Sequence, residues 1–242
     1  MATVILVRHG RTTANASGVL AGRTSGVELD SVGIEQSVRT GERLSTLPLV
    51  AVVSSPLERC RQTADAIVKH QAGSPTESVD EAITECDYGD WQGRALADLA
   101  KEDLWSVVQT QPSAAVFPGG ESLGAMQSRA VAAIRRHDAA IEAEHGPGAV
   151  WAAVSHGDII KSILADALGT HLDLFQRIHV DPASVSIVSY TASRPFVLGT
   201  NTHGGDLSWL NAPAKTRRRS SRPARADAMV GGGAGPDHPA GS

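Results

Sequence analysis

Three short runs of consecutive apolar, largely β-branched or small residues punctuate the chain: 3–7 (TVILV), 49–53 (LVAVV) and 150–154 (VWAAV). Runs of this length without polar alternation suit strands buried on both faces of a parallel sheet. Between them the apolar positions change period. Leu57, Cys60, Ala64 and Ile67 recur at helical spacing, and Leu123, Met126, Ala130, Ile134 and Ile141 form a similar stripe, so each set predicts a helix with one buried face. A third helix is predicted over 158–168, ended by Gly169, and two final strands over 184–190 and 196–200. Strands alternating with helices predict an α/β protein, a three-layer α/β/α sandwich with a mainly parallel sheet. No internal repeat is visible.

Composition narrows this picture. With 41% hydrophobic and 20% charged residues in 242, the chain can bury a substantial core. No stretch approaches the length of a membrane span, and a functional-looking motif begins within eight residues of Met1, so neither signal peptide nor membrane partner is expected and the expected location is cytoplasmic. The two cysteines, Cys60 and Cys86, lie too far apart for a CxxC redox site and are too few for a zinc cluster; both are expected as small interior hydrophobes. Charge is uneven. Residues 211–242 hold six Lys and Arg against two Asp, whereas the preceding 210 hold 16 basic against 24 acidic residues. That Gly/Pro-rich segment has almost no large apolar residues, so 206–242 is expected to be a disordered tail following a domain of residues 1–205. Its basic run lacks interleaved aromatics, which argues against a nucleic-acid partner; a homodimer is left open.

Each apolar strand is followed at once by polar residues that a buried strand end does not need. These are Arg8-His9-Gly10 after the first, Ser54-Ser55-Pro56 with Arg59 after the second, and Ser155-His156-Gly157 after the third. Ligands of open α/β sheets bind outside the carboxyl ends of the strands, so two histidines and two arginines are expected at one sheet edge. The arginines argue against zinc and favour a phosphate dianion, and no GxxxxGK[ST] or GxGxxG cradle for a nucleotide occurs. A phosphate monoester handled without metal or cofactor needs a nucleophile, cations for the phosphoryl oxygens and an acid for the leaving oxygen. His9 can be the nucleophile, with Arg8, Arg59 and His156 around the phosphoryl group. Among nearby carboxyls, Glu85 in the loop 84–93 is the best-placed acid, with Asp87 and Asp90 as rivals on spacing alone.

The sequence resembles branch 1 of the histidine phosphatase superfamily, which includes cofactor-dependent phosphoglycerate mutases and many phosphatases. Arg8, His9, Gly10, Thr12 and Asn15, then Gly22-Arg23, Leu29, Gly33 and Gln36, match the opening pattern. Ser54, Ser55, Pro56, Leu57, Arg59, Gln62, Thr63 and Ala64 match the second block; Glu85, Tyr88, Gly89, Trp91 and Gly93 the third; Val154, Ser155, His156 and Gly157 the last. The resemblance covers about residues 3–200 and implies a phosphoglycerate mutase-like fold. It further implies that His9 is phosphorylated, that Arg8, Arg59 and His156 hold the phosphoryl group, that Asn15 helps bind it and that Glu85 donates the proton. Gly157 belongs with the phosphate-binding residues through its backbone. Arg11 departs from the family's usual Glu or Gln and either adds a cation at the pocket rim or faces solvent; the loop between Gly22 and Leu29 is about one residue longer than the pattern.

Substrate choice is expected to lie in a cap over residues 94–121, whose only basic residues are Arg94 and Lys101 against Asp98, Glu102, Asp103 and Glu121. Its apolar residues are expected mainly to pack the cap onto the domain. No long basic insertion of the mutase type is present. A small phosphorylated substrate and a phosphatase are therefore expected, with a phosphomutase, or a non-catalytic phospholigand-binding module, as alternatives.

Overall fold

The computed structural model describes residues 2–204. Thr3–Arg8 (β1) sends alternate side chains to opposite sides: Val4 and Leu6 join one apolar cluster, Ile5 and Val7 another. Val150–Ser155 (to be β4) does the same, with Trp151 and Ala153 on the first side and Ala152 and Val154 on the second. A sheet that is apolar on both faces must be covered on both, which dictates three layers. In chain order the remaining elements are α1 (Thr13–Ser17), α2 (Ser31–Leu44), β2 (Leu49–Ser54), α3 (Glu58–Lys69), β3 (Thr76–Val79), α4 (Leu96–Leu99), α5 (Asp103–Thr110), α6 (Leu123–His145), α7 (Gly157–Ala167), β5 (Val185–Tyr190) and β6 (Pro195–Thr202). The strand order is β3-β2-β4-β1-β5-β6. The first four strands run parallel; β5 is antiparallel to β1, and β6 to β5.

Helices α2 and α3 pack together on one face, α6 and α7 on the other. The largest buried side chains, such as Trp151, Ile5, Leu6 and Ile67, are fully enclosed, each worth about 1.5–3 kcal/mol in apolar burial. Cys60 and Cys86 are free and buried, as expected. The predicted strands and the three predicted helices are all present, within two residues of their predicted ends except for α6, which runs four residues past Ile141. Five elements are additional, the short helices α1, α4 and α5 together with β3 and α2. β3 is a short edge strand of exposed residues, TESV, with no apolar face to announce it. α2 buries Gly33, Ser37, Thr40 and Gly41 while leaving Ile34 exposed, so its inner face is small and polar except for Leu44 at its C-terminal end.

The small face has a reason. Gly10 and Gly33 let the start of α2 lie directly on the turn after β1: a Cβ at Gly10 would come 2.4 Å from the Gly33 carbonyl oxygen, and one at Gly33 2.0 Å from that of Arg11. Asp30 caps α2 by accepting from Gly33 N–H at 2.7 Å. Gly33→Ala is therefore expected to cost about 1–3 kcal/mol by overpacking, read as a lower Tm together with a lower kcat/KM. An unchanged Tm would contradict this packing.

Within residues 94–121, Leu99, Val108 and Phe117 are buried in the same cluster as α6 and α7, while Val116 stays exposed. The apolar residues of this segment thus mostly serve packing, as expected. Residues 206–242, read as a basic tail, lie outside the described residues. Among the described residues no helix is long and apolar enough to cross a membrane.

Candidate active site

Three neighbouring central strands, β2, β4 and β1, end level with one another: Arg8 pairs with Ser155, and Ser54 with Val154. The ladder continues one residue further, with His9 N–H donating to Ser155 O at 2.9 Å and Ser55 N–H to Val154 O at 2.9 Å. The topology thus converts sequence positions about 50 and 150 residues apart into one polar edge. Below it, residues 180–184 support the end of β1. Ala183, in the left-handed region at φ 56°, donates its N–H to the carbonyls of both Arg8 and His9 at 3.0 and 3.1 Å.

Arg8, His9, Arg59, Glu85 and His156 are each no more than 3% exposed. Burial of five ionisable side chains is costly unless each is held by specific partners. Arg8 Nη1 donates to Val180 O at 2.8 Å. Arg59, in the first turn of α3, donates from Nη2 to Gly22 O at 2.7 Å and to His156 Nδ1 at 3.3 Å, and from Nε to His9 Nε2 at 3.3 Å. Its Nη1 is buried with no hydrogen-bond partner among the described residues.

These partners set the histidine tautomers. The Gly10 carbonyl can only accept, so at 2.7 Å it takes the Nδ1–H of His9 and leaves the lone pair on Nε2. Burial, then Arg59 and Arg8, push the His9 pKa well below its ordinary value, so the ring is neutral and Nε2 nucleophilic. His156 is depressed in the same way, by burial and then Arg59. Because Arg59 can only donate, Nδ1 of His156 accepts, and its Nε2–H points to Ser55 Oγ at 2.7 Å with Cys60 Sγ at 3.4 Å. The two rings meet edge to face at 5.2 Å.

Glu85 has the opposite perturbation. Burial, reinforced by Asp158, raises its pKa to about 7, so near neutrality it exists substantially as an acid. Its Oε1 accepts from Cys86 N–H at 2.9 Å, which puts the acidic proton on Oε2. The rivals are placed otherwise: Asp87 is half-buried and accepts from Gly89 N–H, and Asp90 is exposed.

The further predicted positions follow. Asn15 Oδ1 accepts from Thr12 N–H at 3.1 Å and Thr12 Oγ1 at 2.9 Å in a capping box for α1, leaving its Nδ2 donors turned from that pair. Gly157 opens α7, whose N-terminus has no side-chain cap, so its first N–H groups and dipole remain for an anion. Arg11 Nε donates to Asp30 at 2.8 Å, tying this cation to the start of α2. Sequence reasoning assigned no role to Ser55 or Thr63. Thr63 Oγ1 accepts from Gly10 N–H at 3.1 Å and donates to Arg59 O at 2.8 Å, joining the nucleophile's turn to the Arg59 helix. Their place directly after β2 and one turn after Arg59 was the available signal. Among the described residues no group of three or more His, Cys, Asp or Glu is arranged to hold a metal ion.

A sheet edge with two buried guanidiniums, a neutral histidine presenting a lone pair, and a buried acid has the donors and acceptors of phosphoryl transfer. The model of the histidine phosphatase superfamily (branch 1) matches residues 4–203. The chain belongs to that family. Solved structures share the fold: YhfR from Bacillus stearothermophilus superposes with a TM-score of 0.74 at 25% identity, covering 84% of this chain and 99% of that one. A mycobacterial glucosyl-3-phosphoglycerate phosphatase superposes at 0.74 with 23% identity, covering 83% and 99%, and shows the fold alone. A curated relative from Salmonella choleraesuis, "Probable phosphoglycerate mutase GpmB", is 31% identical over 219 positions, 88% of this chain and 97% of that protein. The family mechanism, transfer of a phosphoryl group from a small phosphorylated substrate, and its histidine phosphatase-like hydrolase class therefore apply to this chain.

Proposed function

We propose that the protein hydrolyses a small phosphomonoester through a phosphohistidine on His9, without metal, within a catalytic unit of residues 1–205 capped by 94–121. The observation that carries this reading is the neutral His9 ring, its Nε2 facing Arg59 and its Nδ1–H fixed by Gly10. Arg8, Arg59, Asn15 and the Gly157 N–H bind the phosphoryl oxygens, and His156 joins them by turning its Nε2–H from Ser55 Oγ. The His9 Nε2–phosphorus bond forms as the ester oxygen–phosphorus bond breaks, and Glu85 gives its proton to the departing alkoxide. The imidazolium formed keeps its hydrogen bond to the Gly10 carbonyl. In the second step the Glu85 carboxylate takes a proton from water, hydroxide joins phosphorus, and the nitrogen–phosphorus bond breaks to release inorganic phosphate and restore the acid.

Hydrolysis is favoured over a mutase reaction because the cap offers no cation for a second anionic group. Arg94 is bound to Glu102 at 2.6 Å, and Lys101 to Asp98 at 2.7 Å. At the mouth, Arg23 is engaged by Glu121, and Arg11 by Asp30. A mutase must hold a doubly anionic intermediate and keep water out. With 3-phosphoglycerate, catalytic 2,3-bisphosphoglycerate and excess chelator, the expected products are inorganic phosphate or none, with little 2-phosphoglycerate. Isomerisation outpacing phosphate release by about tenfold or more would establish the mutase reading suggested by the Salmonella relative's name.

A further inference from the structure

Glu85 lies between two single turns of 3-10 helix, Glu81–Ile83 and Gly89–Trp91, and the backbone around it is held by side chains from three other parts of the fold. Arg129, on α6, donates from Nη1 to Ala82 O at 2.9 Å and to Thr84 O at 2.8 Å, and from Nη2 to Glu85 O at 3.1 Å. The same guanidinium forks onto Glu121 at the end of the cap, Nε to Oε2 at 3.0 Å and Nη2 to Oε1 at 2.5 Å. Glu121 Oε1 also accepts from Asp87 N–H at 2.9 Å, so the pair holds the loop on both sides of the acid. Against burial, which alone raises it, hydrogen bonds from Arg129 and Asp87 N–H keep the Glu121 carboxyl below its ordinary value.

Arg23 completes the set. Its Nε donates to Glu85 O at 2.8 Å and its Nη2 to Glu121 at 3.0 Å. Its neighbour Gly22 supplies the carbonyl that receives Arg59 Nη2. One two-residue step of chain thus touches both a guanidinium of the phosphate site and the main chain of the acid.

We propose that Glu121, Arg129 and Arg23 form a positioning unit that fixes the Glu85 backbone, so that proton donation to the leaving oxygen depends on this cluster while phosphate binding does not. The proposal rests on Glu85 being the acid. None of the three touches the reacting atoms; they act through where Glu85 is held. A guanidinium that satisfies three carbonyls and a carboxylate in one plane has no equivalent in an ammonium, so even Arg129→Lys loosens the loop. A misplaced acid costs most where the leaving group most needs a proton.

The test compares 4-nitrophenyl phosphate, whose leaving group departs unaided, with glycerol 1-phosphate, whose alkoxide does not. Arg129→Lys, and separately the half-exposed Arg23→Lys as a milder probe, are expected to lower kcat for glycerol 1-phosphate by about 10- to 100-fold. With 4-nitrophenyl phosphate kcat should stay within about threefold, and KM for both substrates should change little. Guanidinium ion should partly restore kcat to Arg129→Ala on glycerol 1-phosphate. Equal losses on the two substrates, or none on either, overturn the positioning role. Glu85→Gln is run alongside: if that variant itself shows no leaving-group dependence, the assignment of Glu85 as acid fails, which is a different result from a normal Glu85→Gln response with insensitive Arg129 and Arg23 variants.

Discussion

His9→Ala is expected to abolish turnover, by about 10⁴-fold or more, while leaving the protein folded. The size of the effect follows from chemistry, since the residue supplies the bond-forming atom and its loss removes the route to products. His156 does not substitute for it. Its Nδ1, like His9 Nε2, accepts from Arg59, but it also lies 3.8 Å from Cys60 Sγ, and its Nε2 is tied to Ser55 Oγ at 2.7 Å, so the ring is enclosed by α3 and the end of β2. Stability should fall only modestly, because removing His9 gives up two hydrogen bonds, its own to the adjacent Gly10 carbonyl and the one from Arg59 Nε, while Arg59 keeps Gly22 O and His156 as partners. The check is kcat/KM on any accepted phosphomonoester beside a melting curve. Turnover near the native level in a folded variant would end the covalent account.

Glu85→Gln is expected to lower kcat by about 10²- to 10⁴-fold on alkyl phosphates and to change the pH profile as well as the rate. Burial and Asp158 hold the Glu85 carboxyl up at about 7 in the folded protein. The proton-donating form is therefore full below that pH and is lost as pH rises through it, so kcat/KM should fall on the alkaline side of about 7. The His9 pKa lies well below its usual value, so the nucleophile stays neutral over the mildly acidic range and adds no matching limb there. In the Gln variant the alkaline limb should disappear. Linkage gives a second sign. A folded-state pKa above the unfolded one means the native state binds the extra proton, so this group's contribution to stability falls as pH rises from the ordinary carboxyl range through about 7. At pH 8 the Gln variant should melt no lower than the native protein. A retained alkaline limb, or a lower Tm at pH 8, would place the acid elsewhere.

The residues that do chemistry were legible because each follows directly on an unmistakable strand. Arg8-His9, Arg59 and Ser155-His156 need only the rule that parallel strands present their carboxyl ends together, and the observed register places Arg8 opposite Ser155. Glu85 needed the family resemblance, since Asp87 and Asp90 share its loop and only burial separates them. α2 was not marked by apolar periodicity, because close approach to Gly10 selects Gly33 and Ser37 over bulky residues. β3 is an exposed edge strand whose pairing comes from its neighbour β2 rather than from its own pattern. Arg129 was invisible for another reason: a single arginine in the α6 stripe reads as solvated, and its carbonyl partners lie 44 to 47 residues away in sequence. Arg11, balanced between pocket and solvent in sequence, is committed to Asp30 by a geometry that no spacing rule encodes.

The phosphohistidine itself is the most direct measurement. Native protein mixed with ³²P-labelled phosphomonoester and quenched in alkali within one turnover should carry label that is stable to base and lost in acid, as expected of a phosphorus–nitrogen bond. Peptide mapping should place it on His9, and its rate of appearance should equal or exceed kcat. Label on another residue, or turnover with no phosphoenzyme formed at a competent rate, would contradict the account.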